Sequence, residues 1–203
     1  MASPDRRSPA PLILASGSPR RRRLLADMGY KFEVIVPEVD ETLRPGADAA
    51  DEAERLAVAK AREVTGRAPP AVIVAADTLC ALDGEIIGKP ADRADARSIL
   101  GQLSGTRHHV ITGLCVLDPR TGRMVSESVA TAVVMKPMSD AQIREYVESG
   151  EADGKAGAYA IQETGDRYVE RIEGSFDNVV GLPTERLAVI LREFRVLPIE
   201  RGG

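Results

Sequence analysis

Apolar residues follow two rhythms along this chain, short runs that suit strands and stripes at helical spacing that suit amphipathic helices. Residues 12–15 form a continuous apolar run, and Ser16, Gly17 and Ser18 then allow a close backbone turn. Ser18 suits a helix N-cap and Pro19 the first helical position, so a helix is predicted there with Leu24, Leu25 and Met28 as its buried stripe. Residues 31–36 alternate like a strand, and residues 48–64 place Ala53, Leu56, Ala57, Ala61 and Val64 on one helical face. Residues 71–76 are apolar throughout, which predicts a strand buried on both faces that Asp77 and Thr78 bring to a close. Asp83-Gly84 predicts a hairpin turn between residues 79–82 and 85–87. A helix over 92–103, a strand over 107–117, a turn at 118–122 and a long strand over 123–135 come next. Ser139 and Gln142 form a capping box that starts a helix through Val147. After a small-residue segment over 155–162, Leu187, Ile190, Leu191 and Phe194 mark a last helix.

With 203 residues the chain has room for one large domain or two small lobes and a well-buried core, and a single compact unit fits best. We expect a single domain over residues 11–196, with 1–10 and 197–203 as flexible termini. The net charge of -4 argues against a dedicated nucleic-acid coat, so any anion site has to be local. Cys80 and Cys115 lie in apolar runs without metal-ligand spacing, which points to buried free thiols in a reducing compartment. No apolar run approaches the length of a membrane span and no signal-peptide core stands at the N-terminus, so a cytoplasmic protein with no membrane partner is expected.

The strand, turn and helix start over residues 12–25 read as an anion site, because free N–H groups and the helix dipole favour negative charge there. At about 100° per residue, Arg21 falls on the buried stripe and Arg20 on its flank, whereas Arg22 and Arg23 point to solvent. Three carboxylates, Glu38, Asp40 and Glu41, sit in a loop that suits a solvated turn, a divalent cation or a bound hydroxyl. Lys60 shares the apolar stripe of its helix, so it either snorkels or holds an anion in a cleft. Asp77 follows a buried strand, where both a ligand-binding role and a turn-capping role fit. The hairpin at 83–84 returns Lys89 towards Asp77. Gln162 suits either a base contact or a strand end. His108 and His109 are adjacent on a strand and face opposite ways, which suits a scaffold better than a shared metal. Neither a Walker A pattern, nor G-x-G-x-x-G, nor H-E-x-x-H is present.

Six segments taken together carry a resemblance. Leu14-Ala15-Ser16-Gly17-Ser18-Pro19-Arg20-Arg21, Ala76-Asp77-Thr78, Gly88-Lys89-Pro90, Leu103-Ser104-Gly105 with His108, Lys155-Ala156-Gly157-Ala158-Tyr159 with Ile161-Gln162, and Asn178-Val179-Val180-Gly181-Leu182-Pro183 resemble the Maf family of nucleoside triphosphate pyrophosphatases. The resemblance covers nearly the whole chain in order. It implies an α/β fold similar to inosine triphosphate pyrophosphatases, with an elongated mixed sheet flanked by helices and a cleft between two lobes. It also implies a homodimer, a divalent cation such as Mg or Mn, and hydrolysis of a nucleoside triphosphate to the monophosphate and pyrophosphate. By position, Asp77 corresponds to the catalytic base. Ser16, Arg20, Arg21, Glu41, Lys60, Thr78, Lys89, Lys155 and Gln162 correspond to substrate-site residues, and Glu41 and Asp77 to carboxylates for the metal.

Three positions bear on the nucleobase. Family members that prefer a methylated guanine nucleotide tend to carry an aromatic residue after the Ser-Pro, a Gln after the catalytic Asp and a Glu for the later Gln. Arg20, Thr78 and Gln162 here resemble the branch acting on dTTP and UTP. A neutral Gln can both donate to and accept from a pyrimidine 2,4-dione, whereas a Glu suits the N–H donors of guanine. Two readings from other classes stand beside the enzyme: a nucleotide-binding regulator of septum formation that does not turn its ligand over, and an RNA-binding protein using Arg20 to Arg23. An aromatic content of 3% and the acidic total weigh against the second.

Overall fold

The computed structural model describes residues 10–162 and 164–199, so positions 1–9 and 200–203 of the expected flexible termini lie outside the described residues, while Ile199 within the expected tail donates its N–H to the Gly29 carbonyl at 2.8 Å. Among the described residues, seven strands form one mixed sheet: β1 (Leu12–Ala15), β2 (Glu33–Ile35), β3 (Val72–Leu82), β4 (Glu85–Ile87), β5 (Arg107–Asp118), β6 (Arg123–Met135) and β7 (Val169–Glu173). The strand order is β2-β1-β3-β5-β6-β7, with β4 paired to part of β3. β1 runs parallel to both β2 and β3, and the remaining pairs are antiparallel. Six α-helices among the described residues accompany the sheet: α1 (Pro19–Asp27), α2 (Ala49–Thr65), α3 (Arg93–Leu103), α4 (Asp140–Glu148), α5 (Phe176–Val180) and α6 (Thr184–Glu193). The helix starts follow from the sequence chemistry, since Ser18, Asp48, Asp92 and Ser139 all cap with their side chains, the last within a capping box.

The two faces of β1 and β3 are covered differently. Ile13, Ala15, Ile73 and Ala75 pack under Ala57, Ala61 and Val64 of α2, whereas Leu12, Leu14, Val72, Val74 and Ala76 pack under α1 and α6. A further cluster joins α3 and α4 to Cys80, Val110, Val133 and Tyr159. α2 comes so close to β5 that a Cβ on Gly113 would lie 2.1 Å from the carbonyl oxygen of Ala53. Only glycine permits that contact. Gly113 is the register partner of Asp77, so the close approach brings α2 down onto the middle of β3.

The structure corrects several expectations. Asp77 and Thr78 do not end a strand, because β3 continues without a break to Leu82 as a single strand. Pairing with β5 from Ile73 to Ala81 carries it through the two polar residues. The strand expected over 31–36 shortens to Glu33–Ile35 at the sheet edge. The 155–162 segment contains no strand. A 3-10 turn at Ala156–Ala158 takes its place, with Gly157 at φ 73° packed against the Cys80 side chain. β7 and α5 lack a readable signal, one because Val169 and Ile172 stand among charged residues, the other because five residues are too few for a helical stripe.

Candidate active site

The site forms where β3 has no neighbour on one edge. β1 pairs with β3 only as far as Ala15 opposite Ala75, and β4 begins its pairing at Cys80, so residues 76–79 face an opening beyond the carboxyl end of β1. That is the position α/β sheets use for ligands. Asp77 and Thr78 are successive residues on a strand and so point to opposite faces, Asp77 beneath α2 and Thr78 beneath α1. At the open edge both faces border one cleft of about 350 Å³. It falls within the range of small-molecule sites.

On the α2 side the charges form a chain. Lys60 Nζ donates to Asp77 Oδ1 at 2.5 Å and pairs with Glu41 Oε1 at 2.6 Å, and Lys89 Nζ donates to Glu41 Oε2 at 2.7 Å. Side-chain exposure rises along it, from 7% at Lys60 and 9% at Asp77 to 41% at Glu41 and 54% at Lys89. The inner end is therefore dry and the outer end wet, and the inner pair is the one whose charges interact strongly. Burial alone would raise the Glu41 pKa, but hydrogen bonds and charges from Lys60 and Lys89 hold it down at about 2. The loop carrying Glu41 is tied to α2 by Glu52, whose buried carboxylate accepts from Arg44 and Arg55. Those bonds, the Arg55 bonds foremost, hold the Glu52 pKa at about 2 against the cost of burial.

On the α1 side Arg21 is half-buried, as its place on the helical stripe predicts, and Arg22 and Arg23 are exposed. Its Nε donates to the Gly181 carbonyl at 2.7 Å and its Nη2 to Thr78 Oγ1 at 2.9 Å. Nη1 makes no hydrogen bond to another described residue, so the guanidinium is fixed on one side and open on the other. Burial lowers its pKa, and the charges of Asp77 and Glu41 pull it back up. It stays a cation at any physiological pH. Arg20 lines the cleft without a hydrogen-bonded partner among the described residues. The small-residue turn completes this wall, with Ser16 Oγ accepting from the backbone N–H of Ser18 at 3.1 Å.

Glu38 and Asp40 of the acidic loop do not line the cleft, whereas Ser16, Arg20, Arg21, Glu41, Lys60, Asp77, Thr78, Lys89, Lys155 and Gln162 all border it. Two of them occupy its far wall. Lys155 Nζ donates to the Glu151 carbonyl at 2.5 Å, and Gln162 is exposed at the mouth. The sequence reading missed the aromatic part of that wall. Tyr159 borders the cleft and its hydroxyl lies 2.8 Å from Nε2 of buried His108, with the two rings edge to face. Burial first, and His109 second, push the His108 pKa down to about 4, so this histidine is neutral at pH 7 and serves the scaffold as expected. His109 is half-buried on the opposite side of β5. Cys80 and Cys115 are buried free thiols, as their apolar surroundings predict.

A family model described as Maf-like protein matches residues 11–194. The chain belongs to the Maf family. Its Maf relatives include proteins named dTTP/UTP pyrophosphatase from Symbiobacterium thermophilum, 46% identical over 95% of this chain and 97% of that protein, and from Salinibacter ruber, 48% identical over 90% of each. A third, from Pelotomaculum thermopropionicum, carries the same name and is 44% identical over 90% of this chain and 96% of that protein. Among solved structures, protein VC0702 from Vibrio cholerae aligns over 92% of this chain and 95% of that one, with 14% identity and a TM-score of 0.47. The Maf match runs from just before β1 to the end of α6, so it takes in both walls of the cleft. No helix among the described residues is long and apolar enough to cross a membrane.

Proposed function

We propose that this Maf protein hydrolyses dTTP and UTP to the nucleoside monophosphates and pyrophosphate. The observation that carries the reading is the Asp77–Lys60–Glu41–Lys89 chain facing Arg20 and Arg21 across one cleft. Relatives at 44–48% identity over nearly their whole length bear that activity in their names. A triphosphate carries its negative charge along a line of oxygens, and Arg20, Arg21, Lys60 and Lys89 around the cleft match it. Arg21, held by Gly181 and Thr78, presents Nη1 to phosphate, and Arg20 and Lys89 at the open end receive the outer phosphates.

In the reaction, water attacks the α-phosphorus, the bond from that phosphorus to the bridging oxygen breaks, and pyrophosphate leaves. Asp77 accepts the proton from the attacking water. Lys60 occupies Oδ1 of this carboxylate and orients it, while Oδ2 accepts no hydrogen bond from another described residue and is the oxygen available as base. The donor set also suits a divalent cation of the Mg or Mn type, which takes carboxylate and phosphate oxygens. Asp77 Oδ2 would take that part in place of the base role, since both Glu41 oxygens are already held by lysines. No group of three or more metal-binding side chains occurs among the described residues, so the substrate's own phosphates would complete the coordination. Such a cation neutralises charge on the phosphate oxygens.

For the base, Tyr159, Ile161 and Gln162 set apolar side chains beside an amide that both donates and accepts, which fits a pyrimidine 2,4-dione. We take the chain as one domain over 11–196 with a two-lobed arrangement around the cleft, working as a homodimer in the cytoplasm. Pyrophosphate release across a nucleotide panel with Mg or Mn tests the reading. dTTP and UTP, with modified pyrimidine nucleotides, are expected well ahead of 7-methyl-GTP. A preference for 7-methyl-GTP overturns the assignment of the base, and nucleotide binding without any release favours the regulator of septum formation.

A further inference from the structure

Behind Arg21 lies a closed ring of hydrogen bonds whose inner members do not touch the cleft. Thr112 on β5 and Asn178 on α5 are both fully buried. Thr112 Oγ1 donates to the Asn178 carbonyl at 3.0 Å, which uses its one hydrogen. The Thr78 hydroxyl, 3.0 Å away, must then donate to Thr112 Oγ1 and accept from Arg21 Nη2. Arg21 closes the ring on its other side, because Nε donates to the Gly181 carbonyl and the Gly181 N–H donates to the same Asn178 carbonyl at 3.0 Å. The Asn178 amide in turn pins α5 to the sheet, with Nδ2 donating to the Val110 carbonyl at 3.1 Å and to Thr131 Oγ1 at 3.0 Å.

We propose that Thr112 and Asn178 are positioning residues that set the guanidinium of Arg21 against the phosphates. The inference rests on reading Arg21 as a phosphate-binding group. Every hydroxyl in the ring gives one hydrogen bond and takes one, so no proton remains for an alternative arrangement, and two N–H groups of Arg21 are held at once. A guanidinium on a long flexible side chain loses rotamer freedom when it binds an anion. Fixing it beforehand removes that cost from each binding event. Thr78 thereby acts on the substrate through Arg21, since both roles of its hydroxyl are taken up inside the ring.

Thr112→Val keeps the shape and deletes the hydroxyl, and Thr112→Ser restores it. Hydrogen exchange and mobility at Nε of Arg21, read by nuclear magnetic resonance and assigned with Arg21→Lys, report the positioning without any turnover. We expect Val to free this group and Ser to return it to the parent state. In pyrophosphate release from dTTP, Thr112→Val should lower kcat/KM by about 10-fold, mainly through KM, and by less than about 2-fold when Arg21 is already Ala. An unchanged Arg21 signal in a folded Val protein overturns the proposal, as does an equal loss in the Arg21→Ala background. If Thr112→Val does not fold, Thr78→Val opens the same ring at a half-buried position and is judged by the same two outcomes. A parent protein that releases no pyrophosphate refutes the enzymatic reading, while the Arg21 signal still decides the positioning.

Discussion

Asp77 and Lys60 are buried together in a place where each makes the other tolerable. Removing one partner of such a pair costs about 3–5 kcal/mol, whereas a neutral isostere keeps the shape and much of the hydrogen bonding. We therefore expect Asp77→Asn to melt as a folded protein while pyrophosphate release falls by about 100-fold or more, the range a general base contributes. An Asn variant close to the parent rate would remove Asp77 from the chemistry. The arginine run allows a sharper comparison, because four adjacent residues of one type differ only in where α1 points them. Arg21→Ala and Lys60→Ala should each reduce kcat/KM by about 10-fold or more through loss of a charge-assisted contact. Arg22→Ala and Arg23→Ala, both at exposed positions, should stay within about 2-fold of the parent. Equal losses at all four would mean that the helix face does not select the phosphate contacts.

At the level of elements, the loop between β2 and α2 delivers Glu41 to the two lysines, and Glu52 on the first turns of α2 holds that loop. Glu52 accepts from the backbone N–H and Nε of Arg44 and from Arg55, whose Nη2 also reaches the Thr42 carbonyl. Its pKa lies near 2 in the folded protein against an ordinary 4.5, a depression that stabilises the fold above pH 4.5. The contribution is lost as pH falls from about 4.5 to about 2, because the unfolded chain takes up the proton first. Glu52→Gln should lower stability at neutral pH by about 2 kcal/mol and flatten the acid side of the stability curve, as followed by denaturant melts at several pH values. Glu41 shares the same window and keeps part of the slope in that variant. A curve that superimposes on the parent after a vertical shift would show that Glu52 does not titrate in this range.

Across the whole molecule, the charge that matters is local. The chain carries -4 in total and so repels a triphosphate at long range, yet Arg20, Arg21, Lys60 and Lys89 gather at one opening. The Debye length falls from roughly 14 Å near 0.05 M salt to roughly 4 Å near 0.5 M, which screens the exposed outer lysine and arginine more than the buried pair. KM for dTTP should therefore rise by about 3-fold or more over that range while kcat changes little. A KM that falls with salt would mean that the overall negative charge, not the cleft, governs the encounter.

Much of this was written into local sequence. Caps at Ser18, Asp48, Asp92 and Ser139, the hairpin at Asp83-Gly84 and the burial of Arg21 beside exposed Arg22 and Arg23 all follow from spacing and side-chain chemistry within a few residues. The motifs likewise mark the residues that line the cleft. What local sequence could not hold was the continuation of β3 through Asp77 and Thr78, since Asp is disfavoured inside a strand and it is pairing with the distant β5 that carries the backbone through it. Nor could it show the gap between β1 and β4, which depends on where two distant strands stop and which turns the middle of a strand into the floor of a site. The ring from Arg21 to Asn178 joins residues up to 160 positions apart. No periodicity spans that distance, so only the packed sheet, with α2 seated on Gly113 and α5 pinned against β5, decides which polar groups meet.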